Sequence, residues 1–201
     1  YTPLLYLKEG VTQPEELAQR NMMKFMKILL LKRLESSFFA FRMSVGRFIG
    51  YYELFIREVR KGNVYISKMH MNTIFDLLEQ DNLERITSLV EDKKVYRLPS
   101  SDFSQAYLED LEYDLRILKE LQSLWETVDD DPKIDAFIEL LSTDPVLVDQ
   151  KCIIFTEAKE TADYLTGALQ ERFGDCVIEY HGSSSENERR AIIENFDAKA
   201  R

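Results

Sequence analysis

Small polar residues follow two short apolar runs in the C-terminal part of the sequence. The first run, residues 152–155, ends at Thr156, and the second, residues 176–180, is followed by His181, Gly182 and Ser183. Ligands of open parallel sheets bind beyond the carboxyl ends of the strands. If both runs are strands of such a sheet, these residues lie where a ligand would bind.

The elements that would position them form a strand–helix–strand unit. Both runs are short and apolar, which predicts strands buried on both faces of a parallel sheet. Apolar residues at helical spacing between them predict a crossover helix, and the connection should be right-handed. A serine from 183 to 185 can cap the next helix, and Ser185 with Glu188 fits a capping box. Cys152 and Cys176 lie in the two predicted strands, so we expect both thiols to be buried and reduced.

Several kinds of reactive site are missing from the sequence. There is no G-x-x-x-x-G-K-[ST] loop, no acidic magnesium-binding box, and no Ser/His/Asp or Cys/His set around the only histidines, His70 and His181. The consecutive aspartates 129–131 precede Pro132 and are interpreted as a polar linker with a helix cap. We therefore expect no catalytic, cofactor-binding or metal-binding residues in this chain.

The chain has a formal net charge of −10, and its charges are distributed unevenly along the sequence. Residues 1–70 carry 12 Lys and Arg against 6 Asp and Glu, whereas residues 71–150 carry 7 against 20. The basic block predicts either an anionic partner or internal pairing with the acidic helices, and the sequence favours neither. The most apolar segment, residues 22–34, is interrupted by four cations, so no membrane span is expected. A cytoplasmic location is the corresponding expectation.

The first 130 residues are predicted to be mostly helical. A helix with Pro14 in its first turn, which runs on from Leu17 through Leu30, is apolar on more than one face and should be substantially buried. Residues 38–59 follow a heptad pattern and should form a long packed helix that ends at Gly62. Further helices are predicted at about 72–91, 103–128 and 132–141, with residues 93–101 as a connector. The apolar seam of the helix at 38–59 consists of Phe38, Phe41, Val45, Phe48, Tyr52, Phe55 and Val59. The seam of the helix at 103–128 consists of Leu111, Leu118, Leu121, Trp125 and Val128.

Three segments resemble one protein family. "KCIIFTEAKETADYL" and "YHGSSSENERRAIIENF" are similar to the beginning of the second RecA-like domain of Swi/Snf-type superfamily 2 helicases and translocases. "LLLKRLESSFFAF", residues 29–41, is similar to the segment that follows the first RecA-like domain in bacterial members. The opening "YTPLLYLKEG" resembles the segment just before it. The resemblance covers both ends of the chain and implies a DNA-dependent motor.

The resemblance implies an α/β fold in which residues 1–130 form a helical insertion domain and residues 131–201 form part of a RecA-like parallel-sheet domain. The chain would be a fragment that begins after the ATP-binding motifs. ATP and Mg²⁺ would be cofactors of the parent protein only, and the fragment alone would be inactive. DNA, with RNA as the alternative, and the first RecA-like domain would be its partners; the oligomeric state is left open.

The resemblance also implies which residues contact nucleic acid. Phosphate contacts from the second lobe would come from Thr156, Gly182, Ser183 and Ser184, since hydroxyls and amides at strand and helix ends suit that role. Arg42 and Arg47 lie off the heptad seam and are further candidates. An alternative hypothesis is that the chain is a helical protein-interaction module fused to a non-catalytic α/β domain.

Overall fold

The computed structural model describes residues 2–66, 96–128, 130–148, 150–156, 159–182 and 184–196, which are mostly helical. Backbone contacts divide the chain into two units. The first comprises Tyr1–Glu35 and Phe41–Val128, and the second comprises Ser36–Ala40 and Asp129–Arg201. The predicted division assigned residues 1–130 to one domain and 131–201 to the other. The segment Ser36–Ala40 therefore fell in the first domain, whereas its backbone contacts place it in the second unit.

The described residues of the first unit form three long helices and one small sheet. Its elements are a 3-10 turn at Pro3–Tyr6, α1 at Gln13–Ser36, α2 at Phe38–Arg60, β1 at Asn63–Ile66, β2 at Tyr96–Pro99, a 3-10 turn at Ser100–Asp102, and α3 at Ala106–Glu126. Only the last residue of α1 and the first three of α2 belong to the second unit.

The heptad pattern of α2 is confirmed by its buried side chains. Phe41, Val45 and Phe48 are buried, and the later positions of the seam are partly buried. Phe41 meets Trp125 of α3 edge to face, with 4.7 Å between ring centroids. Gly62 follows α2 with φ +88°, the left-handed conformation predicted for the end of this helix.

A two-stranded antiparallel sheet was missed by the sequence prediction. β1 pairs with β2, with Val64 opposite Leu98, although residues 93–101 were interpreted as a connector. Val64 and Ile66 are buried in a cluster with Leu4, Phe103 and Tyr107. Alternation over four residues is a weak signal, which is why the strands were overlooked. The helix predicted at about 72–91 lies outside the described residues.

The start of α3 was placed too early. The sequence predicted a helix from residue 103 with Ser101 or Asp102 as its cap, but α3 begins at Ala106. Phe103 is buried and forms an isolated antiparallel bridge with Leu7, which holds its backbone extended. The tertiary contact therefore overrides the local capping signal.

The expectation that α1 is substantially buried is wrong for one of its faces. Leu29 and Arg33 are buried on the inner face together with Gln19. The opposite face leaves Leu17, Ile28 and Leu31 exposed. Apolar residues on two faces of α1 predicted that a packing partner covers each face. The described residues cover only the inner face.

In the second unit, the residues that the structure describes form three helices and a short connecting turn. Its elements are α4 at Pro132–Thr143, α5 at Lys159–Phe173, a 3-10 turn at Gly174–Cys176, and α6 at Glu186–Phe196. Asp131 caps α4, because its carboxylate accepts the N–H groups of Lys133 at 3.2 Å and Ile134 at 3.3 Å. This confirms the predicted pairing of an Asp cap with Pro132 at the first helical position.

The segment Ser36–Ala40 is held in the second unit by a group of hydroxyls. Ser36 Oγ lies 2.8 Å from Thr161 Oγ1 on α5, and Ser37 Oγ lies 3.3 Å from the same atom. Ser37 Oγ also accepts the N–H of Ala40 at 2.9 Å and so caps α2. The Ser37 and Thr161 side chains are buried, and each hydroxyl is satisfied by these contacts.

An aromatic stack supports the same junction. The ring of Phe39 stacks on that of Tyr164 with 5.1 Å between centroids. The Tyr164 hydroxyl donates to Asp131 at 3.1 Å, and the Lys133 ammonium donates to the Ser36 carbonyl at 3.0 Å. The cap of α4 and the junction between α1 and α2 therefore share one hydrogen-bonded network.

The predicted parallel strands do not form among the described residues. Residues 151–156 and 177–180 are in neither helix nor strand, and Ile153 and Phe155 are 61% and 89% exposed. Cys152 and Cys176 are exposed as well, which corrects the prediction that both are buried. Among the described residues no strand lies beside either segment, and a strand needs such a neighbour to pair its backbone groups.

Candidate nucleic-acid interface

A closed turn follows the second apolar run. The N–H of Ser184 donates to the His181 carbonyl at 2.9 Å, and the N–H of His181 donates to Ser184 Oγ at 3.0 Å. These two bonds join His181 and Ser184 across one closed turn. A serine hydroxyl that accepts one hydrogen bond can still donate its own proton. Ser184 is therefore a positioned donor for an anionic oxygen.

Gly182 lies in this turn with open space around it. A Cβ at Gly182 would meet no atom within 4 Å, and its φ is not in the left-handed region. The free chain therefore does not itself require glycine here. A requirement for glycine at this position would come from close approach of a ligand to the backbone.

The helix after the turn, α6, begins directly after Ser185, one of the serines predicted to cap it. Ser185 precedes Glu186, the first residue of α6, and its carbonyl accepts the N–H of Arg189 at 3.0 Å. Ser183 lies outside the described residues, as does the side chain of Glu188, on which the predicted capping box depends. The start of a helix presents backbone N–H groups that favour negative charge.

Thr156 lies at the end of a separate exposed segment, residues 150–156. The Lys151 ammonium donates to the Asn195 carbonyl at 2.6 Å, near the end of α6. This bond connects the beginning of the segment to the helix that follows the turn. Thr156 itself is exposed, and it remains a predicted phosphate contact.

Arg42 and Arg47 belong to the first unit, whereas Thr156, Gly182 and Ser184 belong to the second. Arg42 is exposed, and its Nη2 lies 3.5 Å from the Val128 carbonyl. Arg47 is half-buried on α2, with Nη1 shielded from solvent. Arg42 is thus the more accessible cation of the two, and the role of both in nucleic-acid binding remains a prediction.

An acidic pair beside the turn was missed by the sequence analysis. Burial raises the pKa of the Glu179 carboxyl above its ordinary value of 4.5, and a hydrogen bond with Asp163 and the charge of Asp163 raise it further. The charges of His181 and Lys159 act in the opposite direction, with His181 Nε2 3.9 Å from Glu179 Oε1. Glu179 was treated only as part of an apolar run, so no sequence signal indicated this pair.

No set of residues suited to Mg²⁺-ATP is found among the described residues. Within the part of the chain that the structure describes, no group of three or more His, Cys, Asp or Glu side chains could hold a metal ion. The sequence also lacks a phosphate-binding loop of the G-x-x-x-x-G-K-[ST] type.

No helix in the described part of the chain has the length and apolar character needed to cross a membrane.

Comparison with known proteins gives one match. Residues 132–201 match the family model of the helicase conserved C-terminal domain, which covers the C-terminal third of the chain. No curated protein and no solved structure matches the chain at the significance required. The matched region contains Thr156, the 181–184 turn and all of α6. The match supports a member of the helicase family with a nucleic-acid-associated function and suggests a RecA-like fold for this region.

Proposed function

We propose that this chain is part of an ATP-dependent nucleic-acid translocase of the Swi/Snf type, and that its second unit holds a DNA strand by its phosphates. The helicase C-terminal match over residues 132–201 carries this proposal. Helicase-family proteins are generally ATP-dependent, and in this protein the residues that bind and hydrolyse ATP would lie outside the described residues.

The geometry of the 181–184 turn supports phosphate contact. Ser184 is oriented by two hydrogen bonds to His181 and retains a hydroxyl proton to donate. Gly182 is exposed and carries no side chain that would keep a phosphate away from the backbone. Such contacts position a strand without reading its sequence, as a translocase that moves along any DNA requires.

The first prediction uses Gly182→Ala. The added methyl group enters open space, so the free energy of unfolding should change by no more than about 0.5 kcal/mol. Affinity for a labelled DNA strand should fall about threefold or more, because the methyl group occupies the approach to the backbone. Fluorescence anisotropy titrations at two salt concentrations measure the affinity, and a denaturant melt measures the stability.

Gly167→Ala is the matched control. Gly167 lies within α5 of the same unit, and a Cβ there also meets no atom within 4 Å. This change should stabilise the helix by up to about 1 kcal/mol and leave DNA affinity unchanged. Equal affinities for the Gly182 and Gly167 variants would contradict phosphate contact at the turn. A wild-type chain that binds neither DNA nor RNA at low salt would favour the protein-interaction module instead.

A further inference from the structure

A group of ionisable side chains lies beside the 181–184 turn. Its members act on one another through their charges and are Lys159 and Asp163 on α5, Glu179 before the turn, and His181 within it. With both carboxylates ionised and the imidazole neutral, the group as a whole carries negative charge. A phosphate at the turn is therefore repelled unless the group takes up a proton.

The two carboxyl groups are arranged to hold that proton. Glu179 and Asp163 share a hydrogen bond, which two carboxyl groups form only when one of them is protonated. Burial, this hydrogen bond and the charge of Asp163 raise the pKa of Glu179, and Glu179 Oε1 is shielded from solvent. The pair therefore holds a proton at a higher pH than an exposed carboxyl does, and the proton belongs to the pair as a unit.

His181 connects the carboxyl pair to the turn. Its Nε2 lies 3.9 Å from Glu179 Oε1, and its backbone N–H and carbonyl form the two hydrogen bonds with Ser184 that close the turn. An imidazole becomes positively charged between about pH 8 and 5, and a neighbouring carboxylate favours that charged form. Because the ring is attached to the backbone of the turn, it lies within the roughly 8 Å over which charges act at physiological ionic strength. Its charge state therefore affects any anion held at Gly182 or Ser184.

We propose that the 181–184 turn takes up a nucleic-acid phosphate together with a proton from solvent, which His181 and the Glu179–Asp163 pair hold. This inference rests on the proposed phosphate contact at the turn and adds its regulation by pH. The phosphate charge favours protonation of the neighbouring groups, and by linkage their protonation favours the phosphate to the same extent. Affinity for a DNA strand should therefore rise between pH 7.5 and pH 6.0, a range in which exposed carboxylates stay ionised.

The first arm of the test replaces Glu179. A labelled DNA strand is titrated with the whole chain by fluorescence anisotropy, at the two pH values and one ionic strength. Wild type should bind at least about fivefold tighter at pH 6.0 than at pH 7.5. Glu179→Gln should bind about threefold tighter than wild type at pH 7.5, because glutamine is neutral, and should gain no more than about twofold on acidification. Glu171→Gln removes an exposed carboxylate of α5 and should keep the wild-type response.

The second arm replaces His181 and is expected to act in the opposite direction. His181→Gln should weaken binding about threefold or more at pH 6.0, and by less at pH 7.5, because the side chain can no longer become charged. His70→Gln removes the other histidine of the sequence and should keep the wild-type response. A substitution that merely disturbed the turn would weaken binding at both pH values, whichever residue it replaced. Circular dichroism melts at both pH values confirm that the variants fold.

Gly182→Ala separates failure of this inference from failure of the proposed function. Equal affinity of wild type at the two pH values, or an equal gain for wild type and Glu179→Gln, overturns the proton linkage. The phosphate contact still stands in that case if Gly182→Ala binds DNA more weakly than Gly167→Ala. If these two glycine variants bind equally, or wild type binds no DNA at pH 6.0, both the phosphate contact and its linkage to protons are contradicted.

Discussion

At the scale of single residues, negative charge lies beside the turn that we expect to contact phosphate. Asp163 on α5 and Glu179 before the turn share a hydrogen bond, and burial contributes most to the raised pKa of Glu179. A raised pKa means that the folded chain binds a proton more readily than the unfolded chain does. Protonation of Glu179 would remove a negative charge that repels a phosphate.

The pH dependence of stability follows from this shift. Because the folded-state pKa of Glu179 is raised, its contribution to the free energy of unfolding is full below about 4.5 and is lost as pH rises through the raised value. Glu179→Gln should therefore be more stable than wild type at pH 7.5, and the difference should shrink at pH 5.5. Urea midpoints at the two pH values measure it.

Glu171→Gln provides the control for this comparison, since Glu171 is an exposed carboxylate on the same helix as Asp163. The difference between this variant and the wild type should not change in the same way between the two pH values. If both variants responded identically to pH, the effect would reflect net charge and not the pairing of Glu179 with Asp163.

Residue roles were predicted well where they depend on neighbours in sequence. Asp131 before Pro132 is a cap because its carboxylate reaches N–H groups two and three residues later. The burial of Cys152 and Cys176 was predicted wrongly, because burial depends on whether other strands lie beside them. The pairing of Thr161 with Ser36 joins residues far apart in sequence, and no local pattern indicates it.

At the scale of elements, α2 is the helix that sequence periodicity described best. Its heptad residues recur on one side over more than five turns, and that side packs against α1 and α3. The two strands predicted in the second unit, which do not form among the described residues, show the opposite case. Their apolar character was read correctly, but a strand forms only when a neighbour pairs with it. Periodicity therefore predicts a helix more reliably than it predicts a sheet.

Phe48 provides a test of the α2 seam. Its side chain is buried with Leu29 of α1, so Phe48→Ala should lower the free energy of unfolding by about 3–5 kcal/mol. Arg57→Ala, off the seam and largely exposed, should change it by less than about 0.5 kcal/mol. Denaturant midpoints of the two variants make the comparison. Similar losses for both would mean that the seam has been assigned to the wrong face.

At the scale of the whole molecule, we expect binding of nucleic acid without binding of nucleotide. The sequence has no loop of backbone amides and lysine to hold the phosphates of ATP. Isothermal titration with Mg²⁺-ATP should show no affinity tighter than about millimolar, and no phosphate should be released. Micromolar affinity with turnover would contradict this expectation and indicate a nucleotide site of another design.

The contact of Ser36 and Ser37 with Thr161 has a consequence for how the chain acquires its structure. These partners are separated by 125 and 124 residues. At synthesis rates of roughly 5–20 residues per second, the two serines are made about 6–25 seconds before Thr161. During that interval Ser37 can cap α2 through Ala40, but both serines lack Thr161 as a partner, and the junction of α1 and α2 is incomplete. The second unit can therefore reach its native state only after Thr161 has been made, by capturing a segment that was synthesised more than 120 residues earlier.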